Sequence, residues 1–297
     1  LETNRFDSII IAGDIGNDEA EEILRIANTF SCPVYYVIGN HDSSVRYDSS
    51  IRPPAIHIHN GPSVINGYAI VGYSGVDVGW GANQIANQVW KEYAPEIAKF
   101  DDLVKKDVEF AISAAEFTAR TGCDTGQASS KREQLHRSKS WKKYQSLVSG
   151  RRRAIVDRNV ERVVLQQRET GIDEKNTIFV SHGRTYKMKN FFPNLGLHLF
   201  GHAHGFQNIM SGNTCFVNVS ALDISRSIFK KKEDEAIVEI PDMPHFNYGT
   251  YTVIEIKDGD ISAQSIRLWP GGDEYITVRG IISGNPSVHS REEIWMG

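Results

Sequence analysis

A chain of 297 residues is long enough to form one large domain or two smaller ones around a real core. Its 40% hydrophobic and 24% charged residues are ordinary for a globular protein, and no run approaches the roughly 18 apolar residues of a membrane helix, so no membrane partner is expected. The formal charge of −4 selects no partner by itself, and Cys32, Cys123 and Cys215, odd in number and widely spaced, argue against a disulfide framework or a thiolate zinc site and fit a reducing, cytoplasmic location.

The first part reads as strand, helix, strand. Residues 8–12 are a short apolar run ending at Gly13, the form of a strand buried on both faces. Asp18 can cap a helix whose apolar positions Ala20, Ile23, Leu24, Ala27 and Phe30 recur at helical spacing. Pro33 closes the connection, and residues 34–38 form a second strand ending at Gly39. This order predicts a parallel pair with a right-handed crossover. Shorter β-like runs follow at 55–58 and 68–72.

From about 81 to 171 helical periodicity replaces strand signals, as in Ile97, Phe100, Val104 and Val108, or Val156, Val160, Val163 and Val164. Within it, residues 121–130, rich in Gly, Ser and Thr, read as a loop or disordered link. Strand signals return at 177–180, 197–200, 215–219, 250–256 and 261–268, and Lys257-Asp258-Gly259-Asp260 has the form of a hairpin turn. No repeat of fixed period is apparent, and residues 271–297 are too mixed to assign.

Four clusters fall just after predicted strands: Gly13-Asp14-Ile15-Gly16-Asn17, Gly39-Asn40-His41-Asp42, Ser181-His182-Gly183 and Gly201-His202-Ala203-His204. Ligands collect beyond the carboxyl ends of strands in open α/β sheets, so these loops can converge. A carboxylate can bridge two cations, an amide offers a carbonyl oxygen, and neutral imidazoles suit first-row transition metals. Taken singly, each has a plainer reading: a Gly-Asp turn, a hydrogen-bonded loop, a structural histidine. In this order and after these strands, coincidence is the weaker explanation.

The series resembles the calcineurin-like metallophosphoesterase family, whose pattern runs D-x-H, G-D-x-x-[DN], G-N-H-[DE], a separate His, and G-H-x-H. The likeness covers about residues 1–80 and 177–268 and leaves the helical middle unmatched. It implies two divalent transition-metal ions, manganese first, with iron, nickel, zinc or cobalt also suited. Asp14 would bridge the pair; Asn40, His182 and His202 would complete the second ion's ligands; His204 would bind the first. His41 would face the substrate phosphate and leaving oxygen, oriented by Asp42. Two such cations stabilise charge in an in-line displacement and lower the pKa of a bridging water. An imidazole can protonate the leaving group near neutral pH, and Arg184, two residues after His182, is a candidate phosphate clamp or a plain surface arginine.

The family's first motif is absent: residues 1–8 supply Glu2 and Asp7 but no histidine, which leaves the first ion with Asp14 and His204 alone. As the chain opens at Leu1 rather than Met, a removed first strand is the expected reason, a natural variant with one metal or none the alternative. His57-Ile58-His59 also puts two imidazoles on one strand face, but reads as packing.

Between 131 and 168 stand twelve Lys and Arg against Glu133, Asp157 and Glu161. Such a segment can attract a polyanion, a nucleic acid or a nucleotide; it can equally be a solvated helix face or pair with the acidic stretch 92–116.

The expectation is thus an α/β fold, a two-sheet metallophosphoesterase-like α/β/β/α sandwich formed by residues 1–80 and 172–270, with a basic helical insertion at 81–171. The implied activity is hydrolysis of a phosphate ester by a metal-activated water, a phosphodiester before a monoester, with a nuclease inside that class. The rival is a catalytically weak protein of the same fold that binds nucleic acid or a partner.

Overall fold

The computed structural model of the chain describes residues 6–16, 20–42, 45, 55–75, 83–121, 126–185, 188–202, 206–219, 250–257, 259–267 and 277–279. It is an α/β structure with a mixed six-stranded sheet and two three-stranded sheets. The chain divides into two compact units, Leu1–Gly81 with Val163–Gly297, and Ala82–Arg162.

In the first unit, β1 (Ile9–Ala12), β2 (Val34–Val37) and β3 (Ile56–His57) form one sheet in that order, all parallel, with Ile9 opposite Val34 and Tyr36 opposite His57. α1 (Ala20–Ala27) lies between β1 and β2 in the chain, and its Ala20, Leu24 and Ala27 are buried. The expected parallel pair is therefore present; Asp18, the expected cap, lies outside the described residues. β2 shows why an unbroken apolar run was needed. Tyr35 and Val37 enter one core cluster, Tyr36 and Ile38 a second one with Ile15, Ala20 and Leu24. A strand with period two that is buried on both faces has no polar side to show.

The six-stranded sheet has the order β4-β5-β6-β7-β9-β8, from β4 (Ser63–Ile65), β5 (Tyr68–Tyr73), β6 (Thr177–Ser181), β7 (Leu197–Phe200), β8 (Gln207–Ser211) and β9 (Thr214–Asn218). The four inner strands are parallel and the two edges antiparallel to their neighbours. β10 (Thr250–Lys257) and β11 (Asp260–Arg267) form a hairpin in which Lys257 faces Asp260 and Gly259 takes φ +88°, and β12 (Thr277–Arg279) pairs with β11. One core cluster joins all three sheets through Ala12, Val37, Val180, Leu199, Val217 and Ala263.

β4, β8 and β12 were not expected from the sequence. β4 and β8 are edge strands with mostly exposed or half-exposed side chains, so neither carries the apolar run of a buried strand.

The second unit is helical: α2 (Gln84–Ala98), α3 (Asp101–Thr121), α4 (Gly126–Arg137) and most of α5 (Lys139–Glu169), which continues into the first unit. Asn83 caps α2 by accepting from the Ala86 N–H at 3.0 Å, and its amide donates to Asn159 Oδ1 on α5 at 3.0 Å. The expected link at 121–130 is corrected here, because residues 126–130 open α4. Gly and Ser are tolerated in a first turn. Further along, α4 is tied to α3 through Asp107, which accepts from Arg132 Nε at 2.8 Å and pairs with His136 Nε2 at 2.6 Å. Among the described residues, no helix is long and apolar enough to cross a membrane.

Candidate metal centre

β1 and β2 are parallel neighbours in one sheet, β6 and β7 in another, and the chain leaves all four at their carboxyl ends through the glycine-containing loops. Those loops bring four side chains together. Asp14 Oδ2 lies 3.1 Å from His182 Nε2; Asn40 Oδ1 lies 3.1 Å from His182 Nε2 and 3.1 Å from His202 Nδ1; His202 Nδ1 and His182 Nε2 are 3.3 Å apart. His182 is 1% exposed, Asp14 and Asn40 are half-buried, and His202 is exposed, so the cluster opens to solvent on one side.

The backbone is bent hard to achieve this. Asp14 and His202 adopt φ of 55° and 64°, the left-handed region that side chains other than glycine rarely enter, and strain of this kind concentrates at functional sites. Two glycines supply the space. A Cβ on Gly13, whose φ is +86°, would stand 2.8 Å from His182 Cγ and 2.9 Å from the Gly39 nitrogen. A Cβ on Gly39 would stand 2.5 Å from the Asp14 nitrogen and 3.0 Å from Asp14 Cγ.

Hydrogen bonding settles which atom of His182 faces the cluster. Its Nδ1 donates to the Ala12 carbonyl at 2.7 Å, which leaves Nε2 with a lone pair directed at Asp14 and Asn40. Three acceptors then face one another, a repulsive arrangement unless His182 is also protonated at Nε2 or a cation lies among them. Ligands about 2.1 Å from a common ion stand about 3.0–3.4 Å apart, in octahedral or tetrahedral geometry. The observed 3.1–3.3 Å separations fit, and two imidazoles with two oxygens suit a first-row transition metal. Burial by itself would raise the Asp14 carboxyl; in the ion-free cluster, with His182 protonated at Nε2 as well, its hydrogen bond and charge and the His41 N–H outweigh burial and hold Asp14 at about 2, a role that a cation would take over from that proton. Asp14 is therefore an anion across the whole physiological range.

Of the residues named from the sequence, Asp14, Asn40, His182 and His202 are brought together; His204 lies outside the described residues. His41 is exposed and gives its backbone N–H to Asp14 Oδ1 at 3.0 Å. Asp42 does something other than orient His41. It is 1% exposed, Oδ1 accepts from the Gly16 N–H at 2.9 Å and Oδ2 from the Gly39 N–H at 2.7 Å, and among the described residues it makes no bond to His41. Adjacency suggested the partner, whereas the fold turns the carboxylate inward to pin the Asp14 loop to the Asn40 loop. Asp42→Ala strands two N–H groups and is expected to cost about 2–4 kcal/mol in urea unfolding; unchanged stability would contradict the clamp. Arg184 is exposed, with its guanidinium 5.1 Å above the Phe216 ring. His57 and His59 are packing residues: His57 Nε2 meets Ser74 Oγ at 2.7 Å and stacks on Tyr36, and His59 Nδ1 accepts from the Ser74 N–H.

Beneath the His182 loop runs a buried polar chain that sequence reading did not find. Tyr73 Oη meets Thr185 Oγ1 at 2.8 Å, Thr185 meets Ser181 Oγ at 3.3 Å, Ser181 Oγ donates to the Gly183 carbonyl, and His198 Nε2 meets Ser181 Oγ at 2.9 Å. His198 is fully buried among Phe179, Phe200 and Phe216, and its Nδ1 has no hydrogen-bond partner among the described residues. Burial first, then the nearby Arg184 charge, push it down from 6.5 to about 3. The unfolded chain therefore binds a proton between about pH 6.5 and pH 3 that the folded chain refuses, so stability is lost as pH falls through that window. The His198→Phe variant is expected to flatten that part of the stability-versus-pH curve; an unchanged slope in denaturant titrations would contradict a neutral buried imidazole.

In comparisons with known proteins, the chain matches no family model and no curated protein.

Proposed function

We propose that this chain hydrolyses a phosphate ester, a phosphodiester in preference to a monoester, at a centre where Asp14, Asn40, His182 and His202 hold a divalent transition-metal ion. The observation that carries the reading is the convergence of four donor atoms from four loops, with His182 Nε2 3.1–3.3 Å from each of the others and the Asp14, His182 and His202 atoms all within 4.8 Å of one another. The order of the loops and their residue types support it through the resemblance to calcineurin-like metallophosphoesterases, and with it the two-sheet sandwich expected of that family. Manganese is the first candidate, with iron, nickel, zinc or cobalt suited to the same ligands; a second ion would draw on Asp14 and His204.

A bound cation supplies Lewis acidity toward a phosphoryl oxygen and lowers the pKa of water. The chain's own residues do the rest. His182, locked by Ala12, keeps one imidazole lone pair aimed inward, and Asp14 contributes the charge that makes the site selective for cations. His41, exposed on the loop that carries Asn40, hands a proton to the departing alkoxide. Arg184, exposed and two residues from His182, would hold a phosphate on leaving Phe216.

The test is manganese-dependent hydrolysis of bis(p-nitrophenyl) phosphate by the wild type, Asp14→Ala and His41→Ala. Hydrolysis that needs metal, vanishes in Asp14→Ala and falls about 10²–10⁴-fold in His41→Ala is the expected result. No turnover with manganese, iron, nickel, zinc or cobalt would sink the hydrolase reading for such diesters and leave a binding protein of this fold.

A further inference from the structure

The basic segment of the chain is not one uniform charge run, and the second unit sorts its cations by use. Several of them are engaged. Arg132 pairs with Asp107, Arg137 with Glu133, and Arg158 with both oxygens of Glu92 at 2.8 and 2.7 Å. Arg151 lies 3.6 Å above the Trp90 ring. These contacts also consume acids that could have neutralised the rest, and Glu96 bonds Lys99, with Lys143 acting on it only through its charge.

A further group of cations sits on α5. Between residues 134 and 156 there is no acid at all. Along this stretch Trp141, Tyr144, Val148 and Ile155 turn inward, half-buried or buried, with Trp141 stacked on His136 and Tyr144 against Phe100. The opposite face presents Lys139, Lys142, Lys143, Ser146, Ser149 and Arg153, all exposed. At 1.5 Å per residue, Lys139 to Arg153 spans about 21 Å. Among the described residues, Lys139, Lys142 and Arg153 make no ion pair.

We propose that this outer face of α5, from Lys139 to Arg153, is a binding surface for the phosphate backbone of a nucleic-acid duplex. The strip is long and of one sign, which matches a row of phosphates. Two serines between its cations add hydroxyl donors and keep the middle low, so a backbone can lie close. It offers no exposed aromatic on which an unpaired base could stack, which disfavours a single strand. It also offers no apolar side chain to enter a bilayer, which disfavours an anionic membrane. The assignment does not depend on hydrolysis at the metal centre.

The experiment is fluorescence anisotropy of a labelled duplex and of its separate strands, titrated with the full chain in EDTA, so that binding is read without turnover. Duplex affinity is expected to fall between about 50 and 200 mM salt with a log–log slope near −4, for about four neutralised phosphates. In the Lys142→Glu/Lys143→Glu/Arg153→Glu variant, affinity is expected to drop at least about tenfold and the slope to shrink toward zero, while Lys257→Glu, on β10, leaves both unchanged. The proposal is overturned by an affinity that the triple variant keeps, by an equal loss in Lys257→Glu, by tighter binding of a single strand, or by tighter binding to phosphatidylserine vesicles. A circular-dichroism melt matching the wild type excludes unfolding of the variant as the cause of a loss.

Discussion

The His182→Ala variant is expected to lose at least about 100-fold in affinity for manganese or zinc, about 2.7 kcal/mol, measured by isothermal titration calorimetry. Partners outside a ligand shell cost 10–100-fold when removed, and His182 would stand inside the shell of the proposed ion. It is the most buried of the four, and its Nε2 is within 3.3 Å of each of the other three donor atoms. Removing it opens a hole at the centre and leaves the Ala12 carbonyl without the imidazole N–H. His202→Ala, at the exposed side, is expected to lose less, because water can take the vacant position. Wild-type affinity in His182→Ala would show that the cluster is a hydrogen-bonded histidine site without a metal role.

The Gly13→Ala variant is expected to be destabilised by about 3 kcal/mol in urea unfolding and to bind metal at least about tenfold more weakly. Two costs add. A left-handed φ disfavours any Cβ by about 1–2 kcal/mol, and here φ is +86°. The new methyl group then meets the His182 ring and the Gly39 nitrogen, neither of which is a flexible chain end. Displacing His182 breaks its alignment with Asn40 and Asp14, so stability and metal affinity should fall together. Gly16→Ala is the informative contrast. Its φ is also positive, at +111°, but a Cβ there meets nothing within 4 Å among the described residues, so the backbone cost should appear without the loss of metal affinity. Equal metal affinity in wild type and Gly13→Ala would show that the space beside His182 is not needed for the site.

Much of this was legible because strong local signals coincide with the elements that matter. The two apolar runs ending at Gly13 and Gly39 are strands as expected, β2 buried throughout but β1 half-buried up to Ala12, and the loss of strand periodicity after residue 81 marked the helical unit. Where local signal is weak, reading failed. β8 is an edge strand with exposed Ile209 and Met210, and the Gly-Ser opening of α4 looks like a loop until α3 is there to receive the helix. Asp42 misled for a related reason: chain proximity to His41 is a poor guide when a buried carboxylate can find two backbone N–H groups instead.

The candidate donors, two imidazoles with a carboxylate and an amide, and the strand ends from which they project were readable from the residues alone. The sequence could not determine that they meet. Asp14 and Asn40 are placed by the parallel register of β1 with β2, His182 and His202 by that of β6 with β7, and the two sheets meet through a shared core and through bonds such as that of His182 Nδ1 to the Ala12 carbonyl. Nor could it choose Nε2 of His182, since the tautomer is set by a carbonyl at Ala12, far off in the chain. Residue types are local and can be read one at a time, whereas a 3 Å convergence and the direction of a lone pair are properties of packing, which exists only once the whole first unit has folded.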